Sequence, residues 1–318
     1  MYRDGALVAE GFPIAEVSEH LADKSATVWF DLLQPSPDEL AAVSEELGLH
    51  PLAVEDVLHE RQRPKLDRYQ SHLFLSAYAV RLDPGSGELA TAEVAAFITR
   101  NALVTVRLSD GFDIGEVTSR WDALPELAKF GVAYLVHGLL DYVGDTHFTA
   151  VDNLDDQIEA LEDRLFDGRP ADAELQRRTF QLRKSLVTLR HVLMPMRDVV
   201  DSLVRREARG YDEAMVPYFR DVDDHVQRAC DRADSLREMV STILETQLTL
   251  RGNRLNVIMK QVTSWAAIIA VPTAVTGFYG QNVPYPGEGQ TWGFLVSSSV
   301  IAVLSVTLYV LFRKRDWL

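Results

Sequence analysis

QVTSWAAIIAVPTAVTGFYGQN, residues 261–282, is the stretch on which the reading of this chain turns. No charged residue occurs between Lys260 and Glu288, and none between Glu288 and Arg313. Each uncharged run is longer than the roughly 20 apolar residues with which an α-helix crosses a hydrocarbon core. Both are read as membrane spans, at about 261–280 and 292–312, joined by a loop that opens with Tyr279, Gly280, Gln281 and Asn282.

The flanks orient the hairpin. Arg251, Arg254 and Lys260 precede the first span and Arg313, Lys314 and Arg315 follow the second, whereas residues 280–290 hold no Lys or Arg. Cytoplasmic loops carry the excess of positive charge. Both termini are therefore expected in the cytoplasm, with the hairpin in the plasma (inner) membrane. Met1 to Glu10 shows no basic region leading into an apolar run, so no secretory leader is expected.

Composition narrows the functional classes. Lys and Arg total 32 against 47 Asp and Glu, a net charge of −15. Nucleic acid as a partner needs a basic footprint and is not expected. The single cysteine, Cys230, excludes an intramolecular disulfide and reads as a packed thiol. No phosphate-binding glycine loop, His-Glu-x-x-His pattern or nucleophile elbow is present, and the eight histidines lack metal-ligand spacing, so the chain is not read as an enzyme. Neither span holds an ionisable residue, which removes the basis for a buried proton relay.

Upstream, residues 1–125 mix strand and helix signals and read as an α/β domain. Thr27 to Leu32, His72 to Leu82, Glu93 to Thr99 and Ala102 to Leu108 are β-rich runs, separated by turn residues such as Asp83 to Gly87. Asp38 to Leu47, stopped by Gly48, and Pro51 to Leu58 read as helices. From Pro125 strand signals vanish. Helices are expected from Glu126 to Asp167, from Asp172 to Arg206 and from Ala214 to Tyr279, with Pro170, Gly210 and Pro217 at the joints and Pro195 a local problem for the second. Residues 126–255 form a helical stalk domain and 256–318 a transmembrane pore domain on this reading. A helix of some 65 residues would reach roughly 100 Å and needs partners along its length. Residues 145–174 are acidic, which reads as a solvated helix face or as diffuse cation collection.

Chemistry concentrates on one face of the first span. Asn256, Met259, Val262, Ala266, Ala270, Thr273 and Gly277 follow at steps of 3, 3, 4, 4, 3 and 4. Such a stripe could line a pore, its amide and hydroxyl rings holding a hydrated ion and its apolar ring gating it. Small residues four apart are equally how membrane helices pack together. Spacing alone leaves both readings open.

Tyr279-Gly280-Gln281-Asn282 resembles the Tyr-Gly-Met-Asn signature of the CorA family of divalent-cation channels, with Gln in place of Met. Trp29 to Leu32, Leu49 to Asp56 and Arg63 to Lys65 are similar to the family's N-terminal landmarks; Tyr218 to His225, Asn256 to Lys260 and Arg313 to Leu318 are similar to later ones. The resemblance spans nearly the whole chain. It implies an α+β membrane protein: a cytoplasmic α/β domain, a long helical stalk and two C-terminal transmembrane helices, assembled as a funnel-shaped homopentamer in the lipid bilayer. The implied activity is influx of Mg2+, with Co2+ or Ni2+ as further cargo, gated by intracellular Mg2+. Gly280 and Asn282, with Gln281 and Tyr279 beside them, would form the selectivity filter, and Gly277, Thr273 and Asn256 inner polar rings. Met259 and Val262 would form the gate and Glu245 a cytoplasmic ring. A regulatory Mg2+ between subunits would be held by Asp83 and Asp221. The chain departs from the pattern at Gln281, at Pro272 and at the small Ala270. A zinc transporter of the same fold is the alternative, and a membrane-anchored scaffold or receptor the alternative of another class.

Overall fold

The computed structural model describes residues 1–3, 6–12, 20–21, 23, 25–58, 63–166, 173–207, 213–281, 284 and 286–318. They divide into two compact units, Met1–Ile243 and Leu244–Leu318.

The first unit is built on seven strands: β1 (Tyr2–Arg3), β2 (Ala6–Leu7), β3 (Ala26–Leu33), β4 (Lys65–Arg68), β5 (Leu73–Leu82), β6 (Leu89–Ile98) and β7 (Ala102–Arg107). They lie in the order β2-β1-β3-β7-β6-β5-β4. β3 and β7 pair in parallel and the other neighbours antiparallel. β5 and β6 are buried over most of their length, as strands covered on both faces must be. On one face α1 (Pro37–Leu47) and α2 (Pro51–Leu58) press Leu40, Val43, Ala53 and Val57 against Phe74, Phe97, Val104 and Val106. A Ser36–Glu39 capping box starts α1, and Gly48, at φ +61°, ends it in the left-handed region that Gly enters without cost. The other face receives α4 (Val132–Phe166), which packs on β5 and β7.

After β7 the chain forms α3 (Ile114–Ala123), capped by Asp113, followed by a 3-10 segment at Pro125–Phe130. The helix read as starting at Glu126 therefore starts at Val132, because Gly131, at φ +62°, breaks the run. Next come α5 (Ala173–Ser202), which carries Pro195 inside it without ending, and α6 (Val216–Tyr279), continuous over 64 residues. The expected ends at Asp167 and Asp172 and the joints at Pro170 and Gly210 lie outside the described residues.

Within the first unit the helices share a heptad seam. Buried residues on α6 fall at Phe219, Val222, Val226, Ala229, Ala233, Leu236, Val240 and Ile243, and on α5 at Leu175, Thr179, Leu182, Leu186, Leu189, Leu193, Met196 and Val200. Both alternate steps of three and four, the spacing of helices that interlock along a seam. Ion pairs rim it: Arg232 on α6 reaches Asp152 and Asp155 of α4 at 2.6 and 2.7 Å, and Arg190 on α5 meets Asp234 at 2.9 Å. Part of the acidic run thus fastens α4 to α6. Asp156, Glu159, Glu162 and Asp163 stay exposed. Cys230 lies buried in the seam, its Sγ facing the Leu193 carbonyl at 3.7 Å, and burial pushes the thiol up to about 11.

In the second unit the C-terminal part of α6 and α7 (Thr291–Lys314) are both long and apolar enough to cross a membrane. Only Gln247, Ser264 and Gly293 are buried there among the described residues.

Candidate functional site

The stripe predicted on the first span lies on α6, and all of it faces outward. Asn256, Met259, Val262, Ala266, Ala270, Thr273 and Gly277 are exposed, as is Glu245 further back. Met259 is 64% and Val262 61% exposed, far more than an apolar side chain tolerates if its own chain supplied the packing. The opposite side of the helix is the one its own chain covers: Ser264 is buried, and Ala267, Ile268, Val271 and Val275 are half-buried. A packing face within one chain is thereby excluded for the stripe.

Near the outer end the helix carries a proline. Pro272 has no N–H to give the Ile268 carbonyl. Hydroxyls bond back to the helix around it: Thr273 Oγ1 donates to the Ile269 carbonyl at 3.0 Å and Thr276 Oγ1 to the Pro272 carbonyl at 2.8 Å. Each hydroxyl oxygen keeps acceptor capacity for a water or a hydrated ion. The helix ends at Tyr279, Gly280 N–H closing on the Thr276 carbonyl at 2.9 Å and Gln281 N–H on Phe278 at 3.3 Å. Gln281 is exposed; Asn282 lies outside the described residues. On the return path the backbone doubles over itself, since a Cβ on Gly293 would meet the Gly287 carbonyl oxygen at 2.4 Å.

The two aspartates assigned to regulation sit in different settings. Asp83 closes the β5–β6 turn: its carboxylate accepts from the Ser86 hydroxyl at 2.6 Å, from Ser86 N–H at 3.2 Å and from Gly85 N–H at 3.1 Å. The Ser86 hydroxyl and those amides hold the carboxyl below its ordinary range, so it is ionised at neutral pH. Arg178 of α5 donates to the Gly85 and Pro84 carbonyls at 2.7 and 2.8 Å, fixing the turn. Asp221 lies early on α6 and is exposed. Among the described residues no hydrogen bond or ion pair joins Asp83 to Asp221 within one chain.

One cluster escaped the sequence reading. Asp141 and Asp145 on α4 and His225 on α6 bring one ligand atom each to within 4.8 Å of one another. Arg120 of α3 bridges the two carboxylates at 2.6 and 2.7 Å, so a guanidinium already serves as the counter-charge there. The signal was the four-residue spacing of Asp141 with Asp145, which sets that pair on one helix face; nothing in the sequence marked His225 as their neighbour. His137, one turn before Asp141, is buried and held neutral-leaning by that burial, against the opposing charges of Asp141 and Asp221.

The N-terminal landmark has a structural explanation. Asp31 accepts from Thr105 Oγ1 at 2.7 Å and from Arg107 Nε at 3.0 Å, while Trp29 Nε1 donates to Thr105 at 3.1 Å. These bonds lock the parallel β3–β7 pair.

Residues 24–314 match the sequence model of a family described as CorA-like Mg2+ transporter protein. Among curated proteins, the chain is 32% identical over 300 residues to a cobalt/magnesium transport protein CorA of Thermotoga maritima, covering 93% of this chain and 85% of that one. Among solved structures, it resembles the complete CorA magnesium transporter of Methanocaldococcus jannaschii with a TM-score of 0.78 at 24% identity, covering 92% of each chain. The ZntB cytoplasmic domain of Vibrio parahaemolyticus is a more distant likeness, with a TM-score of 0.56 at 11% identity over 72% of this chain and 89% of that one. Both structural likenesses speak to the fold.

Proposed function

This chain belongs to the CorA-like Mg2+ transporter family, and from that premise we propose that it is a membrane channel for Mg2+ influx, with Co2+ and Ni2+ as further cargo. The observation that carries the reading is the unbroken exposed stripe on α6, which leads from Asn256 through Met259 and Val262 to Thr273, Gly277 and the Gly280 turn. Repeated around an axis in a homopentamer, it would become a pore of stacked rings. Asn282 and the Gly280 carbonyl would select a hydrated cation, because Mg2+ dehydrates reluctantly and prefers oxygen. Gln281 adds an amide to that mouth. Thr273 and Asn256 would hold the ion's water shell, and Met259 and Val262 would close the path by excluding water. Residues 1–125 act as the sensor, 126–255 as the stalk and 256–318 as the pore, with both termini in the cytoplasm.

Mg2+ is also the proposed regulator. Asp83, ionised and pinned at its turn, offers hard oxygen to a divalent ion, and Asp221 of the partner subunit would supply the second carboxylate. Two carboxylates that repel across a boundary become a bridge when a cation joins them. Cation loss would release the subunits and wet the apolar ring.

Ion flux into liposomes holding the purified full-length protein tests the proposal, comparing Mg2+, Co2+, Ni2+ and Zn2+ with and without a pH gradient. Mg2+ entry that ignores the gradient is expected. Zn2+ entry that depends on it, with little Mg2+ entry, would favour the zinc-transporting alternative, and no flux of any ion would leave a tethered scaffold.

A further inference from the structure

The second unit contains a pocket that the ion path does not use. It has a volume of about 460 Å³ and is lined by Gln261, Trp265, Tyr309, Arg313 and Leu318. Gln261 and Trp265 lie one turn apart on α6. At about 100° per residue they sit roughly 120–160° around the helix from the middle of the pore stripe. Tyr309 and Arg313 lie one turn apart on α7, at the end marked as cytoplasmic by the basic residues around it. The pocket therefore falls at the inner membrane–water boundary, where Trp and Tyr gather because their rings are apolar and their tips polar.

The chain itself builds this site. After Lys314 the backbone turns back through Asp316, at φ +54°. Trp317 N–H bonds the Phe312 carbonyl at 2.9 Å, and the Trp317 ring stacks on Phe312 at 5.6 Å. That fold-back returns Leu318 to the pocket wall. Arg313 is exposed, and its one side-chain hydrogen bond among the described residues is a long 3.5 Å contact from Nη1 to the Tyr309 hydroxyl. No carboxylate among the described residues lies within ion-pair distance of it. A guanidinium fork, an amide and an indole thus converge on one polar pocket while the fork lacks an anion. About one turn further along the same two helices stand Ile269, after Trp265, and Val306, before Tyr309, 63% and 60% exposed, an apolar surface suited to acyl chains.

We propose that this pocket binds the phosphate of an anionic phospholipid, with Arg313 gripping the phosphate oxygens, Gln261 and the Tyr309 hydroxyl bonding the headgroup, and Trp265 lying at the glycerol level. Arg suits this role because its planar fork pairs two phosphate oxygens at once. The shared chemistry is a phosphate oxyanion, and a lipid is chosen over free phosphate because the polar pocket opens beside exposed apolar side chains. The inference rests on the reading that both spans lie in a bilayer. The lipid would hold the two spans of one chain together at the inner face, outside the ion path.

Native mass spectrometry of the full-length protein in mild detergent tests it, with dioleoylphosphatidylglycerol, dioleoylphosphatidylcholine or inorganic phosphate added. Phosphatidylglycerol should be retained in preference to phosphatidylcholine. Arg313→Gln should cut that retention by roughly fivefold, the factor expected for one basic residue at an anionic lipid surface, whereas Lys314→Gln should change it by less than half as much. Arg313→Lys, which keeps the charge and loses the fork, should fall between. Equal losses in Arg313→Gln and Lys314→Gln would mean diffuse charge alone and would overturn the site. So would inorganic phosphate that displaces the lipid, or a lack of preference between the two lipids. Flux measured on the same protein separates the claims: a chain that conducts without retaining phosphatidylglycerol refutes the pocket and leaves the channel standing.

Discussion

The two units of this protein handle apolar surface in opposite ways. In the first, Phe74, Phe97, Val104 and Trp121 are at most 2% exposed, and three helices close a heptad seam among themselves. In the second, Phe294 is 72%, Met259 64% and Val303 63% exposed, and only Gln247, Ser264 and Gly293 are buried among the described residues. A soluble chain rarely exposes a contiguous apolar surface so large. The first unit thus closes a core of its own, although Phe180 and Leu52 stay 66% and 57% exposed, while the second needs lipid and, on the proposed reading, further copies. Stability and function should separate along the same line: substitutions in the first unit act through folding, and those on the α6 stripe through conduction.

That separation can be broken at its strongest point first. Asn282→Ala should reduce divalent flux in liposomes to background, with the thermal unfolding of the full-length protein unchanged, because the residue comes three positions after the last residue of α6 in the sequence. Wild-type flux in this variant would place selection elsewhere. Phe97→Ala should do the reverse. Phe97 is fully buried and packs on Phe74 with ring centroids 5.3 Å apart, and its truncation should cost about 3–5 kcal/mol in chemical or thermal unfolding. Val262→Ala, exposed on α6, should change stability by less than ~0.5 kcal/mol yet raise flux at high internal Mg2+, read with a Mg2+-sensitive dye.

A pH titration sharpens the same contrast. His147 is wholly buried on α4, its Nε2 bonded to the Tyr78 carbonyl at 2.7 Å, and burial lowers its pKa to about 4. The unfolded chain, with an ordinary imidazole, takes up a proton between pH 6.5 and 4 that the folded chain refuses. Stability should therefore be full above that window and fall through it as pH drops, by up to ~1.4 kcal/mol per pH unit. His147→Gln should flatten this dependence in a detergent-solubilised melting series; an unchanged slope would assign it to other groups. The smallest expected effect concerns regulation. Asp83→Asn with Asp221→Asn should weaken Mg2+-dependent protection from proteolysis and leave influx active at high internal Mg2+. Closure at the wild-type Mg2+ level would show that the pair is not the sensor.

Much of this was legible in the sequence, for reasons that differ by region. The spans and the single long helix could be read because absence of charge and absence of a breaker are local signals. The stripe could be read because 3.6-residue periodicity survives in one dimension. β4 at Lys65–Arg68 was missed because Lys65, Leu66, Asp67 and Arg68 have weak strand propensity and owe their conformation to pairing with β5. The two-residue strands β1 and β2 carry too little pattern to detect, and α3 was hidden by the polar face between Val117 and Trp121. The heptad seam from Phe219 to Ile243 was present in the letters but diluted by small residues such as Ala229 and Ala233 and by the many charged residues between its positions. The Asp141, Asp145 and His225 cluster needed the fold, since residues some 80 positions apart meet only once α4 and α6 are packed.

Accessibility of single cysteines along α6 tests the central claim, that the exposed stripe faces a conducting path. The native Cys230 is buried with its thiol pushed up to about 11, so it should stay silent to water-soluble thiol reagents. Thr273→Cys on the stripe and Val271→Cys on the opposite, half-buried side of the helix would each be reconstituted in liposomes, and Mg2+ flux followed during addition of a small cationic methanethiosulfonate. Flux through Thr273→Cys should be blocked, and flux through Val271→Cys and the wild type should persist. Block of Val271→Cys with Thr273→Cys spared would contradict the central claim, because the stripe would then face lipid and not the ion.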